Sequence, residues 1–285
     1  MIPSIPQNPL LQNTYRFYVV LFFIYLAAPL VVVSVFAFNN SLFPSPPWNG
    51  FTWDWFFNPT EPRLGLFHDD SLLDAIVVSL FVAFWVTMLS VAVGTSNAFL
   101  FEREDFRFKN LAYILMLTPL VIPGIILGIS ILVVSNGVAN GVDNYFGLEI
   151  EALRPGLWLV ILGQFSFITT ITTLVISARL RKFDTDLEEA ALNLGATPWV
   201  AVRTVTLPYL APAMIGAGIV AFLMSFENFN TTLMLVGSDA PLTIALFDRL
   251  KEGSTPVINA VSLLLMIFSA LLAFIVIALQ REKTD

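Results

Sequence analysis

Cysteine is absent from all 285 residues, so the chain holds no disulfide framework, thiolate nucleophile or thiolate metal site. Histidine is nearly absent. The one histidine, His68, sits beside Asp69 and Asp70 in a polar stretch, and a single imidazole there reads as a solvated loop residue. Charge is scarce as well: Asp, Glu, Lys and Arg make up 12% of residues, about half the share of a soluble domain. No HExxH, GxSxG or glycine-rich phosphate loop occurs, so no catalytic and no metal-binding residue is assigned. The net charge of −7 and a pI near 4.7 argue against nucleic acid. Internal repeats of roughly 20–50 residues are not evident, and no linker is long enough to separate domains.

What is abundant is apolar surface, at 57% of residues, with a mean hydropathy of +0.81. The expected fold is therefore all-α, a polytopic membrane protein with six transmembrane helices. Their expected positions are Phe17–Phe38, Leu72–Phe101, Leu111–Val134, Leu157–Ala178, Ala213–Val236 and Ile258–Leu279. Residues 17–279 then form one transmembrane domain between short tails at 1–16 and 280–285, with a loop at 179–212 between helices four and five. Residues 1–16 lack the charged start and short apolar core of a secretory signal. Placing the N-terminus in the cytoplasm puts Arg16, Arg103, Arg107, Lys109, Arg179, Arg181, Lys182, Arg203, Arg281 and Lys283 inside, ten of the 14 basic residues. By the positive-inside rule both termini and the 179–212 loop are expected to be cytoplasmic.

That loop holds the longest stretch that cannot lie in lipid, DTDLEEAALNLGATPWVAVRTVTLP, from Asp184 to Pro208. Its chemistry specifies two short helices with a sharp break. Thr185-x-x-Glu188 and Asp186-x-x-Glu189 are overlapping capping boxes for the first, over about Leu187–Leu194. Gly195 can take the left-handed conformation that ends it. Thr197 caps the second, with Pro198 at its first position. Ala190 and Ala191 let another backbone come close, so the elbow is shaped to be gripped by a partner protein.

Three spans carry features unusual for lipid. In the third, Pro119, Pro123 and Gly124 interrupt the helix, as a gate or a tight packing site would require. In the fourth, Gln164 and a face of Ser166, Thr170, Thr173 and Ser177 offer either interhelical hydrogen bonds or a polar wall. The fifth reads SFENFNTT from Ser225 to Thr232. Glu227 lies mid-span, where a carboxylate costs roughly 2.5–3.5 kcal/mol on insertion scales. It should face solute, water or a partner subunit, or else be hydrogen-bonded between helices. Helical spacing groups it with Thr231, and pairs Asn228 with Thr232. Between the first two spans, Trp48, Trp53 and Trp55 mark an interfacial anchor or a docking surface.

Glu189-Ala190-Ala191, then Gly195, then Val205-x-Leu207-Pro208 resembles the EAA loop of ABC-importer permease subunits, with Val205 where that family has Ile. Over nearly its whole length the chain is similar to the second permease of spermidine/putrescine importers. The matching stretches are Phe38-Asn39, Trp48–Phe56, Asp70–Leu73, Leu180–Asp184, Ser225–Asn228 and Leu242–Ala260, including Ser254-x-Pro256-x-Ile258-Asn259-Ala260.

This resemblance implies a type I importer of the bacterial inner membrane. The chain would not itself be an enzyme and would carry no cofactor; ATP and Mg²⁺ would be bound by partner ATPase subunits. Further partners would be a second, different permease, a periplasmic substrate-binding protein and membrane lipid. Asp186, Glu188, Glu189, Ala190, Ala191, Leu194, Gly195, Ala196 and Pro208 would couple to the ATPase. Glu188 and Glu189 would meet its basic groups. Ser225, Glu227, Asn228, Thr231, Thr232, Gln164 and Thr170 would line the substrate pathway. Such permeases tend to have two adjacent Asp where this chain has Glu227-Asn228, which keeps a monocation, another organic amine, an amino acid or a zwitterion open as solute. Outside this family, a secondary transporter would explain Glu227 but not the elbow, and a membrane scaffold the elbow but not the polar runs.

Overall fold

The computed structural model describes residues 9–253 and 255–281. Ser254, Lys283, and the parts of the expected tails at 1–8 and 282–285 lie outside the described residues. The helices, in order, are α1 (Pro9–Phe36), α2 (Asp54–Phe57), α3 (Asp70–Arg103), α4 (Lys109–Val121), α5 (Gly124–Phe146) and α6 (Leu157–Leu180). They continue with α7 (Asp186–Asn193), α8 (Pro198–Ala201), α9 (Leu207–Phe226), α10 (Asn230–Leu235), α11 (Leu242–Gly253) and α12 (Val257–Arg281). Among the described residues the only β pairing is an isolated antiparallel bridge, Asn39 to Phe51. The fold is all-α, and among the described residues six helices are long and apolar enough to cross a membrane.

Two of the six are shifted along the chain from their expected limits, and α1 begins earlier than expected, at Pro9 and not Phe17. The third membrane-length helix is α5 (Gly124–Phe146), not Leu111–Val134. Pro123 breaks the apolar run because it lacks an N–H and forces Ile122 into the extended region, at φ −77° and ψ 129°. Pro119 is accommodated inside α4. The fifth membrane-length helix runs Pro198–Phe226 through a π-helical turn at Val202–Thr206, and not Ala213–Val236. Pro208 explains that turn. Without an N–H it cannot bond the Thr204 carbonyl, and the register slips so that Leu207 N–H reaches Val202 O instead.

The chain divides into two compact units. One comprises residues up to Asp70 together with Arg249–Phe268. In it, none of the described α1 side chains is buried, although the helix is strongly apolar. Such a surface is stable only in lipid. The connection after α1 closes on the fully buried Asn39, which accepts from Asn49 N–H and donates to Pro47 O. Trp55 is buried with its indole N–H on Asn39 O at 2.8 Å, while Trp48 and Trp53 stay exposed. Arg249 makes a two-point ion pair with Asp69, both bonds under 3 Å.

The second unit comprises Ser71–Asp248 and the chain from Ser269 on. Helix α6 is its most buried spanning element. One core cluster joins Val82 and Val86 of α3 to Leu159, Val160, Ile161 and Ile168 of α6, Ala221 of α9 and Leu235 of α10. A second joins Ala98, Ile176, Leu180, Phe183, Leu210 and Ala217. The helices approach closely where Gly94 faces Thr172: a Cβ at Gly94 would lie 2.4 Å from Thr172 Oγ1 and 3.1 Å from Thr173 N.

Candidate functional site

The elbow between α6 and α9 folds from local rules, and most of them are visible in the chain. Helix α7 ends in a Schellman motif: Ala196 N–H reaches Ala191 O at 3.1 Å and Gly195 N–H reaches Leu192 O at 2.9 Å. Gly195 has φ +92°, with no atom within 4 Å of where a Cβ would sit. Thr197 is extended and its hydroxyl accepts from Val200 N–H at 3.4 Å, capping the helix that Pro198 opens.

Neither capping box forms at the start of α7. Thr185 is already helical and makes no side-chain cap, whereas Asp184 accepts from Asp186 N–H at 3.1 Å. Glu188 is drawn elsewhere, which corrects the expectation that it faces a partner. Arg103, at the end of α3, grips both its carboxylate oxygens, at 2.5 and 3.2 Å. The Thr206 hydroxyl donates to the same carboxylate. Only 14% of the Glu188 side chain is exposed. Burial pushes its carboxyl up, but the hydrogen bonds from Arg103 and Thr206 and the Arg103 charge outweigh it, leaving it below its ordinary value.

The outward surface of the elbow is then Asp186, Leu187, Glu189, Ala190, Leu192, Asn193, Leu194 and Gly195, continuing to Trp199; Ala191 and Ala196 are half-buried and Pro208 is exposed. Leu194 is 90% exposed and Trp199 68%. Sequence reasoning missed Leu187, Leu192 and Trp199. Large apolar residues on a segment assigned outside lipid were the available signal. It also missed Arg103 and Thr206, for which no local signal exists.

Inside the bundle the polar residues of α6, α9 and α10 meet one another. Gln164, 1% exposed, donates to Thr232 Oγ1 at 2.9 Å and accepts from Ser225. Asn228 Oδ1 accepts from both the N–H and the hydroxyl of Thr232. Thr231 donates to Gly124 O at 3.3 Å and Thr170 to Met116 O at 2.6 Å. Gln164, Thr170, Ser225, Thr231 and Thr232 are thus buried, with their polar groups engaged between helices. Gly124 and Gly128 serve close packing, since a Cβ at Gly128 would meet Met234 Cβ at 2.9 Å and Thr231 O at 3.1 Å.

Glu227 is set apart from this network. Helix α9 ends at Phe226, so Glu227 sits at a break and not within a continuous helix, and the expected shared face with Thr231 is absent. The break follows from Asn228, whose side chain offers Thr232 hydrogen bonds that compete with the helix ladder. Glu227 is exposed and accepts from Ser269 Oγ at 3.1 Å. Among the described residues no group of three or more His, Cys, Asp and Glu could hold a metal ion.

Residues 90–281 match the family described as "Binding-protein-dependent transport system inner membrane component". The chain is 29% identical over 270 residues to the putrescine transport system permease protein PotI of Escherichia coli K12, covering 94% of this chain and 91% of that protein. It is 26% identical over 274 residues to the spermidine/putrescine transport system permease protein PotC of Haemophilus influenzae, covering 96% and 97%. Among solved structures it is similar to a chain of a bacterial ABC transporter involved in the import of the acidic polysaccharide alginate. That match has a TM-score of 0.70 and 16% identity, over 97% of this chain and 96% of the other. At that identity the likeness concerns the fold.

Proposed function

The chain belongs to the family of binding-protein-dependent transport system inner membrane components, and on that premise we propose that it moves a small cationic solute, a polyamine such as putrescine or spermidine, by coupling ATPase closure to alternating access through the Asp184–Pro208 elbow. It is a multi-pass membrane protein and a permease subunit of a type I ABC importer. The observation that carries the coupling role is the elbow's outward face. The rigidly terminated α7 presents Ala190 and, at its C-cap, Leu194, and the start of α8 presents Trp199, where the chain leaves one spanning helix and enters the next. Apolar surface of this kind is stable in water only when a partner covers it.

In this reading α7 seats in a cleft of the ATPase, with Glu189 as its outward charge, and ATP and Mg²⁺ are bound by that ATPase. Nucleotide-driven closure pulls on α6 and α9 and rocks the bundle between its two faces. A second, different permease completes the pathway, and a periplasmic binding protein delivers the solute. Both termini and the elbow face the cytoplasm of a bacterial cell, following the charge asymmetry.

The polyamine assignment rests on the similarity to PotI and PotC and on Glu227, the exposed carboxylate at the helix break. Asn228 as its neighbour favours one alternative within the same class: a singly charged amine, an amino acid or a zwitterion needs only one carboxylate. Family membership removes the grounds for a secondary transporter or a scaffold. The test is co-purification of the tagged chain with its co-encoded ATPase and binding protein, followed by putrescine and spermidine uptake in proteoliposomes. Uptake should stop when ATP is withheld and survive a proton uncoupler; the reverse pattern would refute the coupling reading.

A further inference from the structure

Glu102 and Arg103, neighbours of opposite charge at the end of α3, each hold an opposite charge on a different side of the elbow. Arg181, just past α6, donates from Nε to Glu102 at 2.9 Å. Arg103 holds Glu188 of α7 at two points. The same Glu188 carboxylate takes the hydroxyl of Thr206, fully buried where the π-helical turn feeds α9. The Arg103 guanidinium also lies over the rings of Phe99 and Phe183, 5.7 and 5.5 Å from their centroids. Planar, forked and stacked, it fixes direction as well as distance, which a lysine ammonium could not do. Its side chain is 25% exposed, so water screens the pair only partly.

We propose that Arg103 and Glu188 form a clasp that makes α3 part of the moving body, so that displacement of the elbow reaches this spanning helix as well as α6 and α9. Both are positioning residues: neither reaches outward, because their charges are engaged with each other and with Thr206. The proposal rests on the elbow being the ATPase contact. Its mechanical content is that α7 and the end of α3 keep one separation while the rest of the importer changes conformation.

The test is a pair of spin labels on Glu104→Cys and Asn193→Cys, in a chain that has no cysteine of its own. Their separation is measured by double electron–electron resonance in the full importer, nucleotide-free and trapped with ATP and vanadate. The clasp predicts one narrow distance, the same in both states. Arg103→Gln or Glu188→Gln should broaden it, and the double exchange Arg103→Glu with Glu188→Arg should narrow it again; Arg103→Lys should recover it only in part. A wild-type distance that differs between the two states, or single variants as narrow as wild type, overturns the proposal. Should no ATPase associate with the chain, the coupling reading fails, while the broadening in the single variants still decides the clasp.

Discussion

Replacing Gly195 isolates the backbone contribution to the elbow. Its φ is +92°, and no atom lies within 4 Å of the position a Cβ would take. A new Cβ therefore collides with nothing, and the cost at the backbone is conformational. An L-residue in the left-handed region costs about 1–2 kcal/mol, with β-branched residues at the upper end and Asn at the lower. Gly195→Val should thus disfavour the native elbow by about 2 kcal/mol, roughly a 30-fold change in its population. The Schellman bonds from Ala196 and Gly195 are lost together when the turn opens. Since the spanning helices are untouched, membrane yield should stay normal. Association with the ATPase, read by co-purification and by binding-protein-stimulated ATP hydrolysis, should weaken by up to about 30-fold. Gly195→Asn should lie between wild type and Val. If Val and Asn both match wild type at equal expression, the turn geometry is not what presents the elbow.

Gln164→Leu removes the donor to Thr232 and the acceptor for Ser225 inside the bundle. Leaving the Ser225 hydroxyl without its acceptor should lower stability by about 1–3 kcal/mol, read as an earlier thermal transition in detergent. Glu227→Gln should reduce uptake of a cationic solute while the complex still assembles, because the side chain is exposed and among the described residues accepts a hydrogen bond from Ser269 alone, at 3.1 Å; unchanged uptake kinetics would make it structural. Glu188 also gives a pH signature. Its carboxyl titrates below the ordinary value of 4.5, so its contribution is complete above that pH and fades as pH falls through the lower folded-state value. The spin-label separation across α3 and α7 should hold constant on acidification and broaden only below 4.5.

The parts of this molecule legible in its sequence are those governed by neighbours in the chain. Gly195, Thr197 and Pro198 act within a few residues, and their turn, cap and helix start emerge where local rules put them. Membrane crossing was equally legible, because hydropathy is a local sum. The failures share a different cause. Glu188 and Asp186 fit capping boxes, but the Arg103 that captures Glu188 is 85 residues away, and a charged two-point partner outcompetes a backbone N–H. The third spanning helix runs well past its expected end at Val134, through Asn136, Gly137, Asn140 and Gly141. In the fold Ser135 bonds Leu153 O, Ala139 is buried, and the helix persists to Gly147, which caps it at φ +62°. The SFENFNTT run was recognised as exceptional, but its use was not. Helical spacing assumed a continuous helix, whereas Asn228 ends it and turns most of the polar groups inward.

The central claim is that the elbow is the cytosolic joint through which an ATPase moves the membrane helices. The most direct measurement places a single cysteine at Asn193, in the otherwise cysteine-free chain, and attaches a photo-crosslinker. The account predicts labelling by a membrane-impermeant maleimide only from the cytosolic side, and a crosslink to the nucleotide-hydrolysing subunit whose yield changes when ATP is trapped. Labelling from the outer side, or a crosslinker that never captures that subunit in an actively transporting complex, would contradict it.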